Sequence, residues 1–167
     1  AGEAPILTVR PLKEAVYLGG AAIIAAHLSG LGAQPHLISA VGKDTHTQDL
    51  LTRLDEHQIE YTTFKTRSCL PTKKRYLVET QKLLKVDQAE SQPLDTAIQR
   101  KLIGTLTDLC GQLDAVIFVD FGCGVISPGM LEQALPLIRP HIHTIAGDIS
   151  GVSQNLLAFH QVDLLTP

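Results

Sequence analysis

Three aspartates, a glycine pair and a run of cations are the residues in this sequence whose types and positions suit chemistry. Asp44, Asp120 and Asp148 each stand at or just past the end of an apolar, strand-like run: 36–41, 114–120 and 143–148. In open α/β sheets ligands collect at the carboxyl ends of the strands, so this shared placement points to a site. Taken singly, each aspartate reads equally as a loop residue capping the turn that follows it. Gly19 and Gly20 open a run of small and aliphatic residues. A glycine pair at a helix start lets a ligand approach the backbone, whose free N–H groups there favour anions or hydroxyls. The same stretch also reads as an Ala-rich buried helix whose glycines serve only its first turn. Lys73, Lys74 and Arg75 sit within a cluster of basic residues between Lys65 and Lys85. Such a cluster suits a phosphorylated ligand, and it also suits an exposed edge strand kept from aggregating by its charge.

The elements that must hold these residues follow from periodicity. A helix opened by the Gly19-Gly20 pair stops at Gly30 and Gly32, with Pro35 forbidding its resumption. Before it, Ile6 to Val9 forms a short strand closed by Arg10-Pro11. After it come a strand over His36–Val41, a helix over Thr45–His57 and a β-rich run over Ile59–Phe64. Lys73–Glu79 and Leu83–Asp87 flank a polar Thr80-Gln81-Lys82 turn and read as an antiparallel hairpin, suited to a flap or lid. A linker, 88–93, leads to a helix over Leu94–Gly111 with its apolar stripe at Ile98, Leu102, Ile103, Leu106, Leu109 and Cys110. Asp114–Asp120 is a continuous apolar run of the kind found in central parallel strands. Ser127 and Pro128 start a helix reaching Ile138. A strand over His143–Asp148, a turn with a small helix over Gly151–His160 and a strand over Val162–Leu165 complete the chain. Helices alternating with strands predict an α/β layered domain with a mostly parallel sheet.

Composition removes several function classes. With 167 residues, 44% hydrophobic and 19% charged, the chain can bury a substantial core. A net charge of −3 gives no electrostatic case for nucleic acid or an anionic membrane. No apolar run approaches the roughly 20 residues a bilayer requires, and 1–5 lacks signal-peptide character. Three cysteines without a CxxC pair argue against a disulfide framework or a zinc site, and a reducing cytoplasm is the expected compartment. His141 and His143 have no third ligand nearby in sequence and read as surface residues, so no metal site is expected.

Several motifs fail. Gly30-Leu31-Gly32 follows a helix and lacks the third glycine of a dinucleotide fingerprint. No P-loop or Gly-x-Ser-x-Gly elbow occurs, and Asp120-Phe121-Gly122 spells the protein-kinase triplet without that family's other signatures.

The stretches taken in order resemble the ribokinase-like (PfkB) carbohydrate kinases, nearest the D-glycero-β-D-manno-heptose-7-phosphate kinase branch. Glu3-Ala4-Pro5-Ile6 resembles the family's Glu-Ala-Pro-Val, and Leu18–Gly32 its Gly-Gly-Ala-Ala-Asn helix. Val41-Gly42-Lys43-Asp44 resembles its Gly-x-Asp turn, while Thr72–Arg75 and Leu83–Asp87 are similar to its lid strands. Val119–Val125 resembles its Ser-Asp-Tyr-Gly-Lys-Gly-Val, and Leu164–Pro167 the stretch ending in Thr-Pro. The resemblance implies a three-layer α/β/α core with a mostly parallel sheet and a small β-hairpin lid, the lid strands lying at about 59–87. It implies transfer of the γ-phosphoryl of ATP, with Mg²⁺, to a sugar hydroxyl. Gly19, Gly20, Asp44, Lys73, Arg75 and Asp120 are then the expected substrate-binding residues, with Lys73 and Arg75 on an anionic sugar phosphate. Pairing of two copies through the lid strands and a fused nucleotidyltransferase domain are further implications.

Four positions depart from the pattern. Ile23 replaces an asparagine that contacts the sugar, Thr47 a turn glycine, Cys123 a lysine, and Ser150 the lysine of Asp-Pro-Lys. The resemblance places the family's first strand before Ala1, and its Asn-x-x-Glu and Gly-Ala-Gly-Asp motifs after Pro167, so the catalytic aspartate is not expected within this chain. Two functions follow as expectations. One is part of a sugar-phosphate kinase, contributing the sugar pocket and lid. The other, suggested by the departures, is a degenerate kinase-fold module that binds a metabolite or assembles domains without catalysis.

Overall fold

A computed structural model describes residues 9–150 and 155–167. The Glu3–Ile6 motif, all but the last residue of the Ile6–Val9 strand and the first part of the 151–160 turn lie outside the described residues. Four α-helices and seven strands are described: α1 (Gly20–Gly30), β1 (His36–Val41), α2 (Thr45–Glu56), β2 (Glu60–Lys65), β3 (Thr72–Val78), β4 (Gln81–Gln88), α3 (Thr96–Leu109), β5 (Ala115–Asp120), α4 (Pro128–Ile138), β6 (Thr144–Ile149) and β7 (Leu164–Thr166).

Side chains set the helix boundaries. Gly19 is extended (φ −141°, ψ 174°) and stands just outside α1, whose first residue is Gly20. It ends as the Leu31 and Ala33 N–H groups donate to the His27 and Leu28 carbonyls, each at 3.0 Å. Asp95, not Leu94, stands outside α3 as its cap, accepting the Ile98 N–H at 2.8 Å. Leu94 is left in the core, and a single 3₁₀ turn at Cys110–Gln112 finishes the helix. Ser127 caps α4 as expected, accepting from Met130 N–H at 3.2 Å, with Pro128 in the first turn where its missing N–H costs nothing.

Among the described residues the strands form three sheets. β1 and β2 pair in parallel from His36↔Glu60 to Val41↔Lys65, and β5, β6 and β7 form a parallel three-stranded sheet with β6 central. β3 and β4 form the antiparallel hairpin. The lid expected over about 59–87 is therefore narrower as an antiparallel unit, because β2 joins the parallel layer beside β1. The hairpin's turn is also shorter than expected. Only Glu79 (φ 53°) and Thr80 separate the strands, and Gln81 and Lys82 pair within β4.

Packing explains the layering. α4 places Leu131, Ala134, Leu135 and Ile138 fully inside, against Leu102, Ile103 and Leu106 of α3, Val116 and Phe118 of β5, and Ile145 of β6. A second cluster joins Ala22, Ala25 and Ala26 of α1 with Leu37, Leu54 and Ile59. β1 is covered on both faces, Leu37 lying in the second cluster and Ala40, with Ile38 packed beside it, in the first. That double coverage is the three-layer α/β/α arrangement with a mostly parallel sheet and a small hairpin.

Candidate functional site

The site is built where α1 begins, where β5 ends and where the hairpin crosses them. Gly20 opens α1 with φ +58°, a backbone region that glycine enters without penalty. A side chain there would meet the Phe121 ring at 3.6 Å, so Phe121, in the turn after β5, lies directly against the helix start. The hairpin also reaches this ring: Lys73 Nζ is 5.6 Å from the Phe121 ring centroid, within cation–π range. Gly20, Phe121 and Lys73 thus form one contiguous surface.

Strand alternation and register define the hairpin's faces. Lys73 pairs with Asp87 and Arg75 with Lys85, so these four side chains share one face, the face that Lys73 turns toward Phe121. Three cations and one carboxylate occupy it, and Lys85 holds Asp87 at 2.7 Å. The opposite face carries Lys74, Tyr76, Leu84 and Val86. There Lys74 sits 5.5 Å over the Tyr76 ring and 3.8 Å from Glu14, while Leu84 and Val86 are exposed.

The three aspartates do lie at the ends of parallel strands, but each is engaged differently. Asp120 is 2% exposed; its carboxylate accepts the Gly122 N–H at 3.0 Å and the Asn155 amide at 2.8 Å. Asn155 also donates to the Ile126 carbonyl at 3.0 Å, tying the turn after β5 to the segment before β7. Asp148 accepts the Thr166 hydroxyl at 2.9 Å. Asp44 caps α2, accepting from the Thr47 hydroxyl at 2.9 Å and N–H at 3.3 Å, and it accepts the Leu70 N–H at 3.2 Å. Burial pushes the Asp44 carboxyl up, but these bonds outweigh it and hold the group below the usual 3.8. Asp44 is thus linked to the 66–71 segment leading into the hairpin, while Gly20 and Lys73 meet at Phe121.

The departures are absorbed structurally. Ile23 packs into the α1 cluster. Thr47, 3% exposed, supplies the hydroxyl that Asp44 accepts. Ser150 donates its N–H to the Asp120 carbonyl at 2.9 Å. Cys123 offers its backbone carbonyl to Arg67, a residue that periodicity did not single out. Arg67 is 4% exposed and joins segments distant in sequence, so no local pattern announces it. Phe121 and Asn155 were missed for the same reason.

No group of three or more His, Cys, Asp and Glu side chains among the described residues could hold a metal ion. The Asp120 and Asp44 carboxylates are both engaged by protein donors. No described helix is long and apolar enough to cross a membrane.

No family model matches the chain. Among curated proteins, the bifunctional protein HldE of Helicobacter pylori (strain HPAG1) is 29% identical over 99% of this chain, and HldE of Pelobacter propionicus 27% identical over 99%. The chain spans only 36% and 34% of the lengths of these relatives. Among solved structures, the tetrameric inhibited form of phosphofructokinase-2 from Escherichia coli aligns with a TM-score of 0.65 at 17% identity, over 88% of this chain and 48% of that one. A putative sugar kinase from Clostridium perfringens aligns with a TM-score of 0.59 at 15% identity, over 88% of this chain and 46% of that one. Sequence relatives across 99% of the chain and a shared fold across 88% of it bear out the resemblance to the ribokinase-like (PfkB) carbohydrate kinases, this chain matching part of their length.

Proposed function

We propose that the protein carrying this chain is an ATP-dependent sugar-phosphate kinase, and that this chain supplies its sugar-side pocket and lid. The observation that carries the reading is the convergence at Phe121 of a helix start opened by glycines and a cation-bearing hairpin face. Free N–H groups at the start of α1 suit the hydroxyls or anionic oxygens of a ligand, and Lys73 and Arg75 suit a phosphate. Gly19 and Gly20 approach the sugar, and Asp44 and Asp120 shape the ends of the strands around it. The names of the relatives, a putative sugar kinase and a phosphofructokinase-2 among them, favour this reading over a non-catalytic module.

Within this reading the substrate is heptose 7-phosphate, ATP is the donor with Mg²⁺, and the compartment is the cytoplasm. This chain binds and orients the substrate, Lys73 and Arg75 holding its phosphate. The word bifunctional in the relatives' name supports a second, nucleotidyltransferase unit in the same protein. The outer hairpin face, with Tyr76, Leu84 and Val86, suits pairing with a second copy.

The test is calorimetric titration of the full-length protein with heptose 7-phosphate. Lys73→Ala with Arg75→Ala weakens binding at least about tenfold, roughly one charge-assisted hydrogen bond lost. Gly20→Val, which puts a β-branched residue at positive φ beside Phe121, abolishes it. Undiminished binding by the Gly20→Val protein refutes the placement of the site.

A further inference from the structure

We infer that Arg67 is a positioning residue: a buried pin that fixes both legs of the β3–β4 hairpin to the turn after β5 and so sets where Lys73 and Arg75 stand. The guanidinium is 3% exposed in its side chain and reaches across three segments. One terminal N–H donates to the Glu90 carbonyl at 3.1 Å, on the leg that leaves the hairpin. Another donates to the Cys123 carbonyl, in the same turn as Phe121. Its own backbone N–H donates to the Val41 carbonyl at 3.2 Å, fixing the leg that enters the hairpin to the end of β1. The two legs are also joined directly, since the Glu90 carboxylate accepts both the Ser68 N–H, at 3.1 Å, and the Ser68 hydroxyl.

The surroundings leave the legs no alternative seat. A Cβ on Gly42 would fall 2.3 Å from the Leu70 nitrogen, and one on Gly124 would fall 2.1 Å from the Gln92 carbonyl oxygen. Each leg is therefore wedged against a strand-end turn, and Arg67 occupies the space between them.

Stability alone is a poor explanation for this arginine. Its only ion-pair partner among the described residues is Glu90, at 3.7 Å and with 41% of its side chain exposed. Its Nε, and the hydroxyl of neighbouring Thr66, are buried without a hydrogen-bond partner among the described residues. A charge taken out of water with incomplete pairing is costly, and an apolar side chain of similar size often serves stability as well or better. What an apolar side chain cannot do is hold two carbonyls from different segments at fixed directions, which the planar fork of arginine does. The hairpin and its legs meet the turn after β5 at the base, through the Arg67–Cys123 bond and the seating of Gln92 on Gly124, and higher up through Lys73. The hydrogen bonds lie at the base, whereas Lys73 makes a cation–π contact, so the base determines how the cations face the helix start.

The pin rests on geometry alone; its bearing on ligand recognition rests on the function proposed above. Hydrogen–deuterium exchange of the full-length protein, without ligand, separates the two. Arg67→Met raises amide exchange across 72–88 by about tenfold or more, the loss of at least one charge-assisted hydrogen bond. Exchange in β5 and β6 and the urea midpoint stay at the parent values. Unchanged hairpin exchange overturns the inference, and so does an equal rise in hairpin and core, which would mark a merely structural role. If the methionine protein does not fold, Arg67→Lys decides. Lysine keeps the charge without the fork, and hairpin exchange then rises selectively or the inference falls.

Discussion

Replacing Gly124 by alanine tests the close seating of the hairpin on the β5 turn. Gly124 has φ +70°, and a Cβ there would lie 2.1 Å from the Gln92 oxygen, 2.6 Å from its carbonyl carbon and 2.8 Å from the Ser91 oxygen. All three are backbone atoms, so no rotamer change relieves the clash. Left-handed backbone costs a non-glycine residue about 1–2 kcal/mol, and overpacking against atoms that cannot turn aside costs a further ~1–3 kcal/mol. Gly124→Ala should therefore destabilise the protein by about 2–5 kcal/mol, lowering the melting temperature by roughly 4–20 °C for a domain of this size. The Leu94 N–H bond to the Gly124 carbonyl, 3.1 Å, moves with the turn and adds to the loss.

The assay is thermal and urea unfolding followed by far-ultraviolet circular dichroism, with Gly104→Ala as the opposite control. Gly104 lies inside α3, and a Cβ there would meet nothing within 4 Å. Alanine at that position should stabilise by about 0.5–1 kcal/mol. A Gly124→Ala protein melting within about 2 °C of the parent would refute the reasoning, because a cost below ~1 kcal/mol leaves no room for the clash.

Two further outcomes follow from the carboxylates. Asp44→Ala removes the α2 cap and the acceptor of the Leu70 N–H, and should cost about 2–4 kcal/mol in urea unfolding; a loss under ~0.5 kcal/mol would mean that the cap and the 66–71 segment do not depend on it. Acidification should lower stability. Glu90 is held below 4.5 by the Ser68 hydroxyl, then by the Ser68 N–H, against burial and with help from Arg67. Asp163 is held below 3.8 first by its hydrogen bond from Arg139, then by the Ile145 N–H. Depressed carboxylates bind fewer protons folded than unfolded, so their contribution is complete above the unfolded values and is lost as pH falls through the folded ones. The urea midpoint should hold steady down to about pH 5 and decline below it; a midpoint that is flat or rising toward pH 3 contradicts the assignment.

The local elements were legible because each has a local cause. The 3.6-residue stripe of α3, the Ser127-Pro128 start of α4 and the apolar run of β5 all appear where their residues dictate. Alternation also revealed the hairpin, and misjudged only its turn, since Gln81 and Lys82 are polar whether they pair or not. Asp44 illustrates the limit. A loop aspartate after a strand reads as a cap or as a ligand, and in the fold it caps α2 while gripping Leu70, a contact 26 residues away that no spacing displays. Arg67 lies beyond that limit, since Val41, Glu90 and Cys123 meet around it only once three separate turns have formed.

The departures and the pin bear on the same question, namely where charge recognition can reside. An isoleucine packed into the α1 cluster, a cysteine engaged through its carbonyl and a serine engaged through its N–H bring no cation to the helix start. Lys73 lies over Phe121, Arg75 and Lys85 share its hairpin face, Lys85 is already paired with Asp87, and Arg67, which also reaches this turn, is spent on backbone carbonyls. Lys73 and Arg75 are mounted on a two-stranded ribbon, and such a ribbon is marginally stable by itself. Its direction must come from its base, where Gly42 and Gly124 admit no side chain and Arg67 spans the gap. On this argument, loosening the base and deleting the cations should weaken anion binding in the same direction, while differing in hairpin exchange, which rises only when the base is loosened.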